Sequence, residues 1–178
     1  NKVEGFVGIN IKKDEFVSEC SDIDDVIVFR NDGVCLISRV QDKVFVGKGI
    51  IHVAVYKKGD ERMVYNMIYK DGISGRSMIK RFNILSVTRD KEYHLAKEVK
   101  GSKVLYFTAN PNGEAEVVTV NLTAASSARK KTFDIDFSDY EIKGRLASGN
   151  IVTKYPVRKV QLKIAGKSTL GGLDVWYD

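Results

Sequence analysis

The chain has 178 residues, 43% of them hydrophobic and 29% charged, with a formal net charge of +6. That composition excludes wholesale disorder, and no run reaches the ~20 apolar residues of a membrane-spanning helix. Only two Pro stand against 15 Gly, and Val, Ile, Tyr and Phe are frequent, which points to β structure. The chain starts at Asn1 rather than Met and carries no leader signature, which points to a piece of a longer protein.

In chain order, residues 1–25 carry seven acids against three lysines and read as a solvated acidic stretch. Asp25 to Arg30 is a short β-prone run, followed by Asn31-Asp32-Gly33 and a second run, Val34 to Ile37. Asp-Gly between two such runs signals a hairpin, because Gly accepts the positive φ that the turn needs. Ile50 to Tyr56 reads as a further strand. Arg62 to Tyr69, the turn Lys70-Asp71-Gly72 and Ile73 to Arg76 repeat the hairpin pattern, and Phe82 to Val87 adds a strand. Tyr93 to Lys100 has poor helical spacing. Lys103 to Thr108, the turn Asn110-Pro111-Asn112-Gly113 and Glu114 to Val120 form a third unit. Thr132 to Phe137 alternates as a strand. Lys159 to Ile164, a turn at Ala165-Gly166-Lys167 and a closing strand Leu173 to Tyr177 make a weaker fourth. The turn glycines 33, 72, 113 and 166 are spaced by 39, 41 and 53 residues. That is the period of a four-stranded blade. The reading is an all-β array of about four four-stranded blades, with a two-sheet sandwich as the alternative.

Catalytic chemistry is not legible. Ser126-Ser127 lacks a GxSxG setting, there is no phosphate loop, and the acids near residues 14–25 lack calcium-loop spacing. Cys20 and Cys35 form no metal-ligand pair and read as reduced, buried thiols. The only histidines are His52, packed on its strand, and His94, exposed. No metal is expected. The charge is uneven: residues 126–167 hold ten Lys or Arg against four acids. A basic sector of this kind suits a polyanion. Its densest pieces are Arg129-Lys130-Lys131 and the Gly-flanked stretch Lys143 to Gly149.

The stretch KGRLASGNIVTKYPVRKV resembles the C-terminal domain of bacterial type IIA topoisomerase A subunits, those of topoisomerase IV and DNA gyrase. So do VEGFVGINIKKDEFV, DDVIVFRNDGV and GSKVLYFTANPNGEAEVV, and the likeness covers nearly the whole chain, closest to the Bacteroides group. The resemblance implies a β-pinwheel, propeller-like and built of blades that exchange strands, in one domain over residues 1–178. It implies a module that binds and bends duplex DNA on a basic rim. It also places the catalytic tyrosine, the ATP and magnesium chemistry, the A-subunit dimer contact and the ATPase B subunit in other domains of a cytoplasmic bacterial enzyme. The fragment itself would be non-catalytic and hold no cofactor. No stretch matches the QRRGGKG box of gyrase, which favours the topoisomerase IV-like reading. The candidate DNA contacts are Lys48, Arg76, Lys80 and Arg81 on the early blades. On the later ones they are Arg129, Lys130, Lys131, Lys143, Arg145, Lys154, Arg158 and Lys159. The competing reading is a propeller-like protein-interaction scaffold docking through its acidic start.

Overall fold

A computed structural model describes residues 2–9, 11, 15–21, 23–97, 100–168 and 170. The fold is all-β, the pinwheel class expected, with fourteen strands in four sheets and a single 3-10 turn among the described residues. Strands β1 (Phe6–Val7) and β4 (Val44–Phe45) pair as a short ribbon. A four-stranded sheet runs in the order β5 (Ile50–Tyr56), β2 (Asp25–Arg30), β3 (Val34–Arg39) and β8 (Tyr93–His94). A five-stranded sheet is built on β7 (Ser77–Asn83), β6 (Val64–Lys70) and β9 (Lys103–Asn110). The free side of β7 is filled by β12 (Ile142–Gly144) and β13 (Asn150–Thr153). The last sheet is β11 (Thr132–Asp136), β10 (Glu114–Leu122) and β14 (Val157–Ser168).

The sheets stack through alternating side chains. Ile27, Phe29, Cys35 and Ile37 on one face of β2–β3 pack with Tyr65, Met67, Tyr69 and Phe82 from β6–β7. Val28 and Leu36, on the opposite face, pack with Val46 and Ile50. Ile68 and Ile79, the outward alternates of β6–β7, meet Val118, Val120 and Ile135 of the last sheet and Phe137 of the 3-10 turn that follows β11. Strands buried on both faces read as continuous apolar runs rather than as alternations, which is why DVIVFR and VYNMIY stood out in the sequence.

Several boundaries differ from the sequence reading. The Asp32-Gly33 hairpin holds, with Gly33 at φ 83°. The second hairpin has a six-residue loop, 71–76, in place of a tight Asp-Gly turn. Its outgoing strand is Ser77–Asn83, not Ile73 to Arg76 followed by Phe82 to Val87. Asp71 shapes that loop by accepting from the hydroxyl of Ser74 at 2.7 Å. The turn at Asn110–Gly113 is not a hairpin: β9 and β10 belong to different sheets, and the turn carries the chain from one to the next. Gly166 lies inside β14, against the backbone of Ala115, and not in a turn. Cys20 is exposed, whereas Cys35 is buried as expected. The closing strand Leu173 to Tyr177, Trp176 included, lies outside the described residues.

The strand exchange is the feature that sequence order hides. Ile142↔Arg81, Lys143↔Phe82 and Gly144↔Asn83 pair in parallel, while Asn150↔Ile79 and Thr153↔Ser77 pair antiparallel. Residues 142–153 thus return to β7, a strand far earlier in the chain.

Candidate nucleic-acid interface

The exchange joins the early and late candidate cations on one sheet. Register across the end of the five-stranded sheet runs from Lys103 on β9 to Lys70 on β6, Ser77 on β7 and Thr153 on β13. Arg76 and Lys154 are the next residues outward from the Ser77–Thr153 pair, so they adjoin at the same end. Arg76, Lys154, Lys70 and Lys103 are all exposed. Like charges set directly opposite on neighbouring strands repel, so the Lys70–Lys103 pair works against folding. Asp71, nearby, turns into its own loop: its carboxyl is held below the usual range first by the Ser74 hydroxyl, with Lys97 a smaller influence. Lys70 and Lys103 were missed in the sequence because they gather only through the pairing of β6 with β9, strands that are not consecutive.

A second group lies along the outer edge of the same sheet. Lys143, half-buried on β12, donates to Asn150 Oδ1 at 3.4 Å. The Arg145 guanidinium sits 4.3 Å from the centroid of Tyr93, and Lys91 lies 5.4 Å from the same ring. Tyr93 and Lys91 were not among the expected contacts, and nothing in their local pattern marks them. The segment expected to be a free Gly-flanked loop is instead pinned at both ends by strand pairing, and Gly149 N–H donates to the Tyr69 hydroxyl at 3.3 Å.

The last sheet carries a third group. Arg129, Lys130 and Lys131 lie exposed between β10 and β11, with Lys131 donating to the carbonyl of Ala124 at 2.6 Å. Arg158 and Lys159 are exposed on β14, where Lys159 faces Asn121, which in turn faces Thr132. This places Arg158 and Lys159 at the end of the sheet that also bears residues 129–131. Lys154 stands in the short link from β13 to β14 and so adjoins both sheets. Lys163 on β14 is engaged by Asp134. Lys48 is exposed between β4 and β5, on sheets that share no strand with the others.

Lys80 and Arg81, expected among the DNA contacts, are buried instead. They are 2% and 3% exposed and cannot reach a phosphate in this fold. A basic dipeptide in a strand reads as surface charge, but β7 is paired on both edges and covered on both faces. Arg81 faces the last sheet and donates to Asn66 Oδ1 at 3.0 Å and to the carbonyls of Gly113 and Tyr140 at 3.1 and 3.2 Å. Asn66 donates onward to Glu116 at 3.0 Å, which also accepts from Thr108 at 2.9 Å. This is a buried polar network with every member engaged, and it ties the five-stranded sheet to the last one.

No three His, Cys, Asp or Glu side chains gather as metal ligands among the described residues. Half-buried His52 packs beside the rings of Phe29 and Phe107 at 5.9 and 5.5 Å. No helix among the described residues is long and apolar enough to cross a membrane.

Comparison with known proteins bears on this arrangement. The model of the family described as the topoisomerase C-terminal domain of Bacteroidota matches residues 1–165. The A subunit of DNA topoisomerase 4 from Borreliella burgdorferi is 25% identical over 164 residues, which is 92% of this chain but 24% of that relative. The chain therefore spans about a quarter of the relative's length. The fold is shared with the crystal structure of the C-terminal domain of DNA topoisomerase IV, at a TM-score of 0.54 and 14% identity, over 80% of this chain and 48% of that one.

Proposed function

Because the chain belongs to the Bacteroidota topoisomerase C-terminal domain family, we propose that it binds and bends duplex DNA for a type IIA enzyme. In this reading it is the C-terminal domain of an A subunit of the topoisomerase IV kind, one domain that captures a duplex segment and presents it to the cleavage core. The observation that carries the reading is the row Lys103, Lys70, Arg76 and Lys154 across the end of one sheet, assembled from four strands. A row of like charges costs folding energy and is repaid only when an anion lies along it. Phosphate oxygens are the matching ligand, and none of these side chains needs to read a base. Arg129, Lys130, Lys131, Arg158 and Lys159 would extend the track over the last sheet, with Lys154 as the joint. Lys48 would contribute only where the duplex curves round to the first sheets.

The chain would hold no cofactor and catalyse nothing alone. Strand cleavage, ATP, magnesium, the A-subunit dimer and the B subunit would all belong to other domains of the parent, working in the cytoplasm.

The test is duplex binding followed over a range of salt. Affinity should be nearly independent of base sequence. Its logarithm should fall with log salt by about 0.9 per phosphate neutralised, so four contacts give a slope of roughly −3.6. Lys143→Glu with Arg145→Glu should weaken binding to every duplex alike and flatten the slope by about one to two units. A folded wild-type chain that binds no duplex near physiological salt would leave the protein-interaction scaffold as the better reading.

A further inference from the structure

Lys80 lies beneath the second cation group and lacks a counter-charge among the described residues. Its ammonium donates to the carbonyl of Leu95 at 3.3 Å and to the carbonyl of Arg145, and it lies 4.9 Å from the centroid of Phe82. It has no ion-pair partner among the described residues. The titratable and charged groups facing it are Cys35 on β3, Lys143 on β12 and Arg145 in the turn after β12. Burial pushes the Cys35 thiol up to about 12, so it is neutral near physiological pH and supplies no negative charge. Burial, with Arg145 and Lys143 adding repulsion, brings the Lys80 ammonium down to about 8. Buried ammonium groups are ordinarily held by a carboxylate. Here two carbonyl dipoles do part of that work, and the neighbouring charges are both positive.

We propose that Lys80, Lys143 and Arg145 form a proton-coupled phosphate seat. A phosphodiester against Lys143 and Arg145 supplies the negative charge that the buried ammonium lacks. Lys80 touches no phosphate. It is a positioning residue that holds the Arg145 backbone by its carbonyl while the guanidinium lies over Tyr93. The inference rests on the duplex-binding reading and adds a chemical requirement to it. An anion in the seat favours the protonated form of Lys80, so the complex holds a proton that the free protein gives up above about pH 8. Affinity then falls as pH rises beyond that point, by at most about tenfold per pH unit for one linked proton.

The experiment is calorimetry of a short duplex binding to the whole chain at about pH 8.5, in buffers of different ionisation enthalpy, which counts linked protons. The wild type should take up a fraction of a proton per duplex. Lys80→Met should take up less by that fraction, and its affinity should be flatter over the same window. Equal uptake by the two proteins, or none by the wild type, overturns the seat. Failure of the folded wild type to bind duplex overturns the duplex reading instead. The seat is then read with pyrophosphate alone, by following the Lys80 Nζ chemical shift against pH. A midpoint that moves upward with pyrophosphate supports the seat, and one that stays put sinks it. That titration uses the wild type, so it stands even if Lys80→Met does not fold. Arg145→Gln, altered outside the core, should abolish the movement.

Discussion

Adjacent residues Lys80 and Arg81 point to opposite faces of one strand and meet opposite chemistry. Arg81 is matched by oxygen acceptors, and removing it withdraws a donor from three of them beside buried Glu116. Arg81→Met should cost about 2–4 kcal/mol in urea unfolding and weaken DNA binding only in so far as the chain unfolds. Lys80 behaves differently with pH. Its folded-state pKa, about 8, lies below the ordinary lysine value of 10.5. Between those values the unfolded chain holds the proton and the folded chain does not. The penalty for burying the charge is therefore fully present below pH 8 and is relieved as pH rises. The stability of the wild type relative to Lys80→Met should climb from pH 8 to 9.5 by up to about 1.4 kcal/mol per unit. A difference flat across that window refutes it. At Gly72, φ is ordinary, but an added Cβ would lie 2.5 Å from the carbonyl oxygen of Lys100 and 2.7 Å from the amide of Ser102. Gly72→Ala should destabilise by about 1–3 kcal/mol, seen as a lowered urea midpoint, through collision rather than through backbone strain.

Among the elements, what could be read in the sequence was whatever depends on neighbours in the chain. The β2–β3 hairpin follows from Asp-Gly between apolar runs, and the all-β class from β-prone runs at a blade-like period. The third hairpin misleads because Asn110–Gly113 has the chemistry of a turn, while the outgoing strand pairs instead with β11 and β14, which come later in the chain. The same limit hid the cation row, since Lys70 and Lys103 come together by pairing of β6 with β9 across two intervening strands, β7 and β8. Their opposition permits a sharp test. Lys70→Glu should stabilise the free chain by about 0.2–1 kcal/mol, by converting a repulsive cross-strand pair into an attractive one, and should weaken duplex binding. Thermal unfolding and anisotropy read the two effects separately. Loss of stability together with unchanged binding would show that no anion lies along that row.

At the scale of the whole molecule, the described residues present charge along two sheets and gather no three metal-ligating side chains. On the proposed reading, which leaves strand cleavage to other domains, the purified chain should neither nick nor relax supercoiled plasmid, with or without ATP and magnesium. Relaxation that survives heat-inactivated controls would overturn this. Much of the contact map is long in sequence, since β7 is completed only by residues 142–153. Loops of that length close slowly, and domains fold as their last necessary segment emerges from the ribosome. A nascent chain that ends short of residue 142 exposes the bare edge of β7 and has yet to place Lys143, Arg145 and Lys154 beside Arg76. The electrostatic track is thus finished only once residues 142–154 have been made, so a chain truncated before them would carry many of the same lysines and arginines without the surface that aligns them.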